Sequence, residues 1–169
     1  MRYSQGWLVG QNGTDGYMVP FEICLRRGGN YNTTSTGPLN DDLLKSFVLC
    51  SFVVQHVLHD MDIHLEPYDC HLNFPLHGIN GSGFSCRLSF TYTLLEALGI
   101  KLPFPASSIA LTGDLNLNGD VLPVKGISQK IKAVREAGFN KIIVADKQPE
   151  ECSLMIRINH LNDLIRRQT

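Results

Sequence analysis

One run of side chains has the types needed to ligate a metal, and a second, shorter group follows it. The run comprises His56, His59, Asp60, Asp62 and His64. His56 and His59 are one helical turn apart, but no second cluster completes a coordination site, so the pattern is more typical of a helix surface and the turn after it. Cys70-His71 has the same status. We predict neither a metal nor a bound cofactor.

The cysteines are a second set of potentially reactive side chains. There are five, an odd number, and none is spaced C-x-x-C: Cys24, Cys50, Cys70, Cys86 and Cys152. This pattern argues against a disulfide framework and against a structural zinc site. It favours a reducing compartment such as the cytoplasm.

The most informative stretch covers residues 110–130, which read ALTGDLNLNGDVLPVKGISQK. It resembles the proteolytic domain of Lon proteases. In that family a Met-Thr-Gly-Glu segment precedes a hairpin that ends Gly-x-Val-Leu-Pro-Ile-Gly-Gly, and the catalytic lysine follows the second glycine by four residues. Lys130 stands four residues after Gly126. Residues 137–144, AGFNKIIV, are similar to the helix-to-strand turn of the same family.

The resemblance also implies a nucleophile, a serine at the start of a helix in a loop that typically reads Asp-Gly-Pro-Ser-Ala-Gly. The collinear segment here is NGSGFSC, residues 80–86. Matching the helix end at Leu98 places the nucleophile at Ser85, and Ser82 is the alternative. The chain lacks the aspartate and the proline of the family loop, and Lys125 replaces the first glycine of the Gly-Gly pair.

Further roles follow from the same resemblance. Thr112 corresponds to the family threonine that hydrogen-bonds the lysine amine and holds it near the serine. Backbone N–H groups around Gly81, Gly83, Phe84 and Cys86 would form an oxyanion hole. The bulky Phe84 beside the serine is a departure from the family pattern.

A serine–lysine pair makes a specific physical demand. A serine hydroxyl needs a base to take its proton, and a lysine amine is a base only when it is neutral. The reference pKa of lysine is about 10.4, so it must fall by about 3, which costs about 4 kcal/mol. We expect Lys130 to lie in the first turn of a helix with an apolar face, where burial and the helix dipole both disfavour its charged form.

Two functional hypotheses follow. The first is a serine endopeptidase of Lon type that cleaves polypeptides through an acyl-enzyme on Ser85, with Lys130 as the base. The second is a catalytically weak or inactive Lon-like domain that serves as an assembly or binding module. The family resemblance further implies a homo-oligomer, commonly a hexameric ring, and coupling to an ATP-driven unfoldase. No G-x-x-x-x-G-K-[ST] loop occurs in this chain, so an ATPase partner or domain would lie elsewhere.

Length and charge limit the remaining classes. The 169 residues are 43% hydrophobic, which fits a single domain over residues 1–169 with its own core. The net charge of −1 gives no signal for nucleic acid or for an acidic membrane surface. No apolar run approaches the length that spans a bilayer.

The element order predicts an α/β fold, of the α+β kind, with mixed sheets, an N-terminal hairpin and packed helices. We expect helices at 40–59, 85–98, 127–137 (opened by Ser128) and 160–167. We expect strands at 7–11, 17–25, 33–36, 70–74, 109–112, 141–145 and 155–158. Residues 115–117 and 121–123 flank Asn118-Gly119, which predicts a hairpin with a type I′ turn.

Overall fold

The computed structural model describes residues 1–75 and 83–165. These ranges contain nine strands and three α-helices, and the α/β class predicted from the sequence is confirmed. The strands are β1 (Arg2–Gln11), β2 (Gly16–Arg27), β3 (Thr33–Thr36), β4 (Tyr68–Asn73), β5 (Ala110–Leu111), β6 (Asp114–Leu115), β7 (Val121–Leu122), β8 (Ile142–Ala145) and β9 (Met155–Ile158). The α-helices are α1 (Asp41–Asp60), α2 (Arg87–Leu98) and α3 (Ile127–Glu136).

The first sheet has four strands in the order β1-β2-β4-β3. The predicted N-terminal hairpin is confirmed, and its strands are longer than expected, with Arg2 opposite Leu25 and Gln11 opposite Gly16. Asn12 closes the turn, since its side-chain oxygen accepts the backbone N–H groups of the two residues before Gly16, at 3.1 and 2.9 Å. β3 pairs in parallel with β4 at the far edge of the sheet.

Helix α1 is the longest helix of the described chain and begins where its capping residue predicts. The Asn40 side chain accepts the backbone N–H of Leu43 at 2.9 Å, and Asp41 and Asp42 occupy the first turn. Both features stabilise a helix N-terminus. Across residues 1–75 and 83–165, none of the helices combines the length and the apolar character needed to cross a lipid bilayer.

Helices α1 and α2 share one hydrophobic core with the first sheet. Phe90 of α2 packs edge-on against Phe21 and Phe47, with ring centroids 5.0 and 5.5 Å apart, and all three rings are fully buried. Burying each ring contributes about 1.5–3 kcal/mol. This core fixes α2, the helix that follows the candidate serine.

A second sheet of three parallel strands, in the order β5-β8-β9, supports α3. α3 begins after Gly126, which has a φ of 70°. A Cβ at Gly126 would lie 2.5 Å from Gln11 Cγ, so only glycine permits this close approach in a left-handed conformation. The prediction that Ser128 opens the helix is wrong, because Ser128 lies exposed inside α3 and the glycine makes the turn.

The hairpin between β6 and β7 is present, but the predicted turn type is wrong. Leu115 pairs with Val121, which leaves a loop of five residues, 116–120. Gly119 has a φ of 92°, whereas Asn118 has no positive φ, and a type I′ turn needs both. The loop is held differently, by a 2.7 Å hydrogen bond between His160 Nε2 and the Asn118 carbonyl oxygen.

The predicted C-terminal helix at 160–167 is also wrong over its described part. The chain makes a single 3₁₀ turn, Leu161–Asp163. The His160 ring accepts the Asn162 N–H, and Asp163 accepts the His160 N–H, so the start of the turn is capped locally. Arg166 and Arg167 lie outside the described residues.

Candidate active site

Lys130 and Thr112 meet in the protein interior. Lys130 Nζ donates a hydrogen bond of 3.1 Å to Thr112 Oγ1. Lys130 is 2% exposed and Thr112 is fully buried. Among the ion pairs formed by the described residues, none includes Lys130. The amine is therefore held by a neutral partner, which leaves its charge uncompensated.

The surroundings of Lys130 favour its neutral form. Burial lowers the pKa of Lys130 from 10.5 to about 8, and the neighbouring Cys86 thiol opposes part of this shift. The Lys130 N–H donates to the Gly126 carbonyl at 3.1 Å, which places the residue in the first turn of α3, as predicted. There the helix dipole also disfavours a cation. A pKa near 8 leaves a substantial neutral fraction at mildly alkaline pH, as a general base requires.

Ser85 is fixed near this pair through its backbone. It lies half-buried in a 3₁₀ turn, Phe84–Cys86, immediately before α2. The Ser85 carbonyl accepts the Gly113 N–H at 3.1 Å, and the Leu88 N–H donates to the Gly113 carbonyl at 3.1 Å. Two hydrogen bonds thus tie the start of α2 to the residue directly after Thr112. The predicted helix at 85–98 is present, with its first turn in 3₁₀ form.

No hydrogen bond joins Ser85 Oγ to Lys130 Nζ, and both residues lie in the described part of the chain. Cys86, which directly follows Ser85, is an electrostatic neighbour of Lys130. Catalytic hydrogen bonds are often long in the absence of substrate. Ser82, the alternative nucleophile, and Gly81 lie outside the described residues.

Two residues beside Ser85, Gly83 and Phe84, are exposed. Gly83 has a φ of 138°, and a Cβ there would meet none of the described residues within 4 Å. Phe84 is 52% exposed, and its ring centroid lies 4.1 Å from the guanidinium carbon of Arg87. Burial raises the pKa of Cys86 to about 12, so this thiol stays protonated and is a poor nucleophile near neutral pH. Of the two neighbours Ser85 and Cys86, the serine is the better nucleophile candidate.

Sequence reasoning missed one ion pair that bears on the serine turn. Arg87 Nη1 lies 2.9 Å from Asp114 Oδ1, and the two side chains are 15% and 24% exposed. Arg87 is the first residue of α2, so the pair anchors the turn that carries Ser85 to β6. Asp114 occupies the place of the glutamate in the family's Met-Thr-Gly-Glu segment, so the resemblance could have marked Asp114 as a residue of interest. Nothing in the sequence pointed to Arg87.

The other chemically interesting side chains do not form a site. His56 and His59 lie on the exposed surface of α1, where His56 Nε2 is 3.5 Å from Asp60 Oδ2. Their interpretation as helix-surface residues is confirmed. Within residues 1–75 and 83–165 no group of three or more His, Cys, Asp or Glu side chains could hold a metal ion. All five cysteines are free thiols.

Comparison with known proteins agrees with the geometry. A family model described as the Lon protease (S16) C-terminal proteolytic domain matches residues 4–159. The chain belongs to the Lon protease family. The resemblance inferred from residues 110–130 is confirmed, and the Lon model extends it over most of the chain.

Individual Lon proteases match over long segments. The chain is 28% identical over 152 residues to a Lon protease of Porphyromonas gingivalis, covering 88% of this chain and 17% of that protein. It is 33% identical over 138 residues to an archaeal Lon protease of Thermoplasma acidophilum, covering 80% and 20% respectively. With Lon protease 2 of Bacillus subtilis the identity is 36% over 88 residues, covering 52% and 15%. The chain thus spans a fifth or less of the length of these relatives.

Proposed function

We propose that the chain is a serine endopeptidase with Ser85 as the nucleophile and Lys130 as the general base. The single observation that carries this proposal is the buried Lys130 amine, whose only hydrogen bond within the described residues goes to a neutral threonine and whose pKa is lowered to about 8. A buried lysine without a carboxylate partner is costly to the fold. Such a cost is typical of functional sites.

The reaction proceeds in two halves. In the first, Ser85 Oγ forms a bond to the peptide carbonyl carbon while its proton passes to Lys130 Nζ. The C–N bond then breaks, and the Lys130 ammonium returns that proton to the leaving amine. In the second half, Lys130 takes a proton from water, the oxygen attacks the ester carbon, and Ser85 leaves with the proton restored.

Thr112 directs the Lys130 amine. A neutral amine has two N–H donors and one lone pair. Because one N–H is committed to Thr112 Oγ1, the range of directions open to the lone pair is restricted. This restriction is the positioning role that the family resemblance implies for Thr112.

Stabilisation of the oxyanion falls to the backbone around the serine turn. Gly83, Phe84 and Cys86 flank Ser85, and Gly83 and Phe84 are exposed, so a substrate backbone can reach this turn. The Arg87 and Leu88 N–H groups already donate to the Phe84 and Gly113 carbonyls. The N–H groups that precede Arg87 in the serine turn can donate to a developing negative charge.

The test compares Ser85→Ala and Lys130→Ala with matched controls. Ser153 and Lys132 are exposed, and Lys132 lies on the same helix as Lys130. We expect the first two variants to lose cleavage of an unfolded protein, and Ser153→Ala and Lys132→Ala to retain it. Full cleavage by both Ser85→Ala and Lys130→Ala would refute the proposal.

A covalent probe separates the remaining alternatives. A fluorophosphonate labels an activated serine, and mass spectrometry of the labelled peptide distinguishes Ser85 from Ser82. Label on Ser85 supports Ser85 as the nucleophile of the dyad, whereas label on Ser82 would assign the nucleophile to Ser82. Absence of label on folded protein would favour the non-catalytic assembly module.

The setting of this activity is also a proposal. We propose that residues 1–169 act as one proteolytic unit on polypeptides, assemble as a homo-oligomer, with a hexameric ring as the family analogy, and work beside an ATPase domain or partner. Five free thiols fit a reducing compartment such as the cytoplasm. Light scattering of the purified chain measures its mass in solution. A strictly monomeric mass would contradict the proposed homo-oligomer.

A further inference from the structure

A tyrosine of the first hairpin lines the same small cavity as the candidate nucleophile. The cavity has a volume of about 40 Å³, and both Tyr17 of β2 and Ser85 line it. A water-sized site occupies about 10–15 Å³, so this space holds about three non-hydrogen atoms. A substrate oxygen that enters it therefore lies close to both side chains.

The position of the Tyr17 ring is set by its cross-strand partner. Tyr17 pairs directly with Gly10 of β1. A Cβ at Gly10 would overlap the ring carbon Cζ and the hydroxyl oxygen of Tyr17, so the hydroxyl end of the ring lies over the glycine. The missing side chain at Gly10 thus lets the phenol occupy this place in the cavity.

The Tyr17 hydroxyl is available as a donor. Within the described part of the chain it forms no hydrogen bond. Burial is the main cause that raises the pKa of Tyr17, and the neighbouring Cys86 thiol adds to the shift. The phenol therefore keeps its proton near pH 8, where Lys130 has a substantial neutral fraction. A protonated phenol without an acceptor can donate to a bound ligand.

Cys86 relates Tyr17 to the serine–lysine pair. Cys86 directly follows Ser85, lines the same cavity, and is an electrostatic neighbour of both Tyr17 and Lys130. Burial raises the pKa of the Cys86 thiol to about 12, so it carries no negative charge near pH 7 that would compete for the phenol proton.

Gln11 also lines the cavity, but its side chain is engaged elsewhere. The Gln11 amide oxygen accepts the Gly13 N–H at 2.5 Å, and the amide lies against Gly126 at the start of α3. Tyr17 is thus the hairpin side chain of this lining that still has a donor uncommitted to another segment of the described chain.

We propose that the Tyr17 hydroxyl donates a hydrogen bond to the oxyanion of the tetrahedral intermediate, beside the backbone N–H groups of the serine turn. When Ser85 Oγ bonds to the peptide carbonyl carbon, an electron pair of the C=O bond moves to the oxygen, which becomes negative. A donor already in place stabilises this charge more than it stabilises the neutral carbonyl.

The proton transfers of the reaction are unchanged by this donor. The phenol keeps its proton throughout, and the exchange among Ser85, Lys130 and the leaving amine stays as described above. This inference rests on the proposed function and adds to it a catalytic side chain from the first hairpin.

The first measurement is cleavage of a fluorogenic peptide by Tyr17→Phe, which removes the hydroxyl and keeps the ring over Gly10. Tyr31→Phe is the matched control, because Tyr31 is exposed, packs against Tyr68 and does not line the cavity. We expect kcat of Tyr17→Phe to fall at least roughly ten-fold with little change in KM, and Tyr31→Phe to match the wild type. Since the Tyr17 hydroxyl bonds to no described residue, thermal unfolding should give the same midpoint for the variant and the wild type.

A peptide aldehyde gives a second readout, one that a packing role of Tyr17 would not move. Ser85 Oγ adds to the aldehyde carbon, the serine proton passes through Lys130 to the former carbonyl oxygen, and that oxygen takes the place of the oxyanion. We expect the inhibition constant of the aldehyde to rise in Tyr17→Phe by about the factor by which kcat/KM falls. The matching peptide alcohol has no carbonyl to attack, so its Kd should stay the same.

The outcomes separate this inference from the proposed function. Wild-type kcat and wild-type aldehyde affinity in Tyr17→Phe, with no cleavage by Ser85→Ala, would overturn the role of Tyr17 and leave the dyad intact. An equal loss of affinity for the aldehyde and the alcohol would show that Tyr17 acts on binding as a whole, which also overturns its role at the oxyanion. Failure of the wild type both to cleave the peptide and to bind the aldehyde would overturn this inference and the proposed function together.

Discussion

The Lys130 amine and the Thr112 hydroxyl lie 3.1 Å apart in the protein interior, and no acidic side chain of the described chain pairs with that amine. Burial is the first cause of the lowered Lys130 pKa. The protonated amine is therefore costly in the folded state, and the neutral amine is the better-tolerated form.

The pH dependence of cleavage should report Lys130. A general base must lose its proton, so kcat/KM should rise with pH and level off above a midpoint near 8, the lowered pKa of Lys130. Lys132→Ala, which changes an exposed lysine, should leave the profile unchanged. A rising limb only near 10.5, the ordinary lysine value, would contradict a buried base.

Stability should depend on pH in a way that Lys130 explains. Between the folded pKa near 8 and the unfolded value of 10.5, the unfolded chain binds more protons, so the free energy of unfolding rises with pH across this window. Below pH 8 the buried Lys130 ammonium lowers the free energy of unfolding by its full cost, on the order of 3 kcal/mol. Lys130→Met should therefore have a higher free energy of unfolding than the wild type at pH 7. The loss of the hydrogen bond to Thr112 reduces this gain.

The measurement is urea unfolding of wild type and Lys130→Met at pH 7 and pH 10. The buried thiols titrate in both chains, so the difference between the two chains isolates Lys130. We expect the advantage of the variant to shrink as the pH rises. A difference that does not change with pH would show that Lys130 titrates normally.

Thr112→Val should impair catalysis with little change in packing. Valine has nearly the same shape but cannot accept the Lys130 N–H. A lost hydrogen bond of this kind is worth about 1 kcal/mol, so kcat/KM should fall roughly five- to ten-fold. Thr112→Ser keeps the hydroxyl and should retain most activity, and equal activity of the two variants would argue against a positioning role.

The Arg87–Asp114 pair should stabilise the serine turn. Asp114→Asn removes the charge but keeps an oxygen acceptor, whereas Arg87→Ala leaves a half-buried carboxylate without its partner. We expect Arg87→Ala to lower the free energy of unfolding by about 2 kcal/mol and to reduce cleavage, with a smaller effect for Asp114→Asn. Glu136→Ala breaks an exposed pair with Lys132 at 3.9 Å and should cost at most about 0.5 kcal/mol.

Local patterns in the sequence predicted much of the fold. The first hairpin and α1 follow from alternation, capping and helical spacing, because each signal acts over a few neighbouring residues. The predictions failed where distant contacts decide the conformation. His160 holds the loop at Asn118, and Gln11 packs against Gly126 at the start of α3. Neither contact is visible in the sequence around these turns.

The candidate site, like the fold, was predicted from the sequence only in part. The sequence by itself determined the family, through residues 110–130, and named Ser85, Thr112 and Lys130 as candidates. The resemblance also implied a hydrogen bond between Thr112 and Lys130. Only the tertiary structure decided how completely Lys130 is buried, that its amine has no acidic partner among the described residues, and that Arg87 anchors the serine turn. Burial and electrostatic environment depend on which distant segments pack together, and spacing along the chain does not record that.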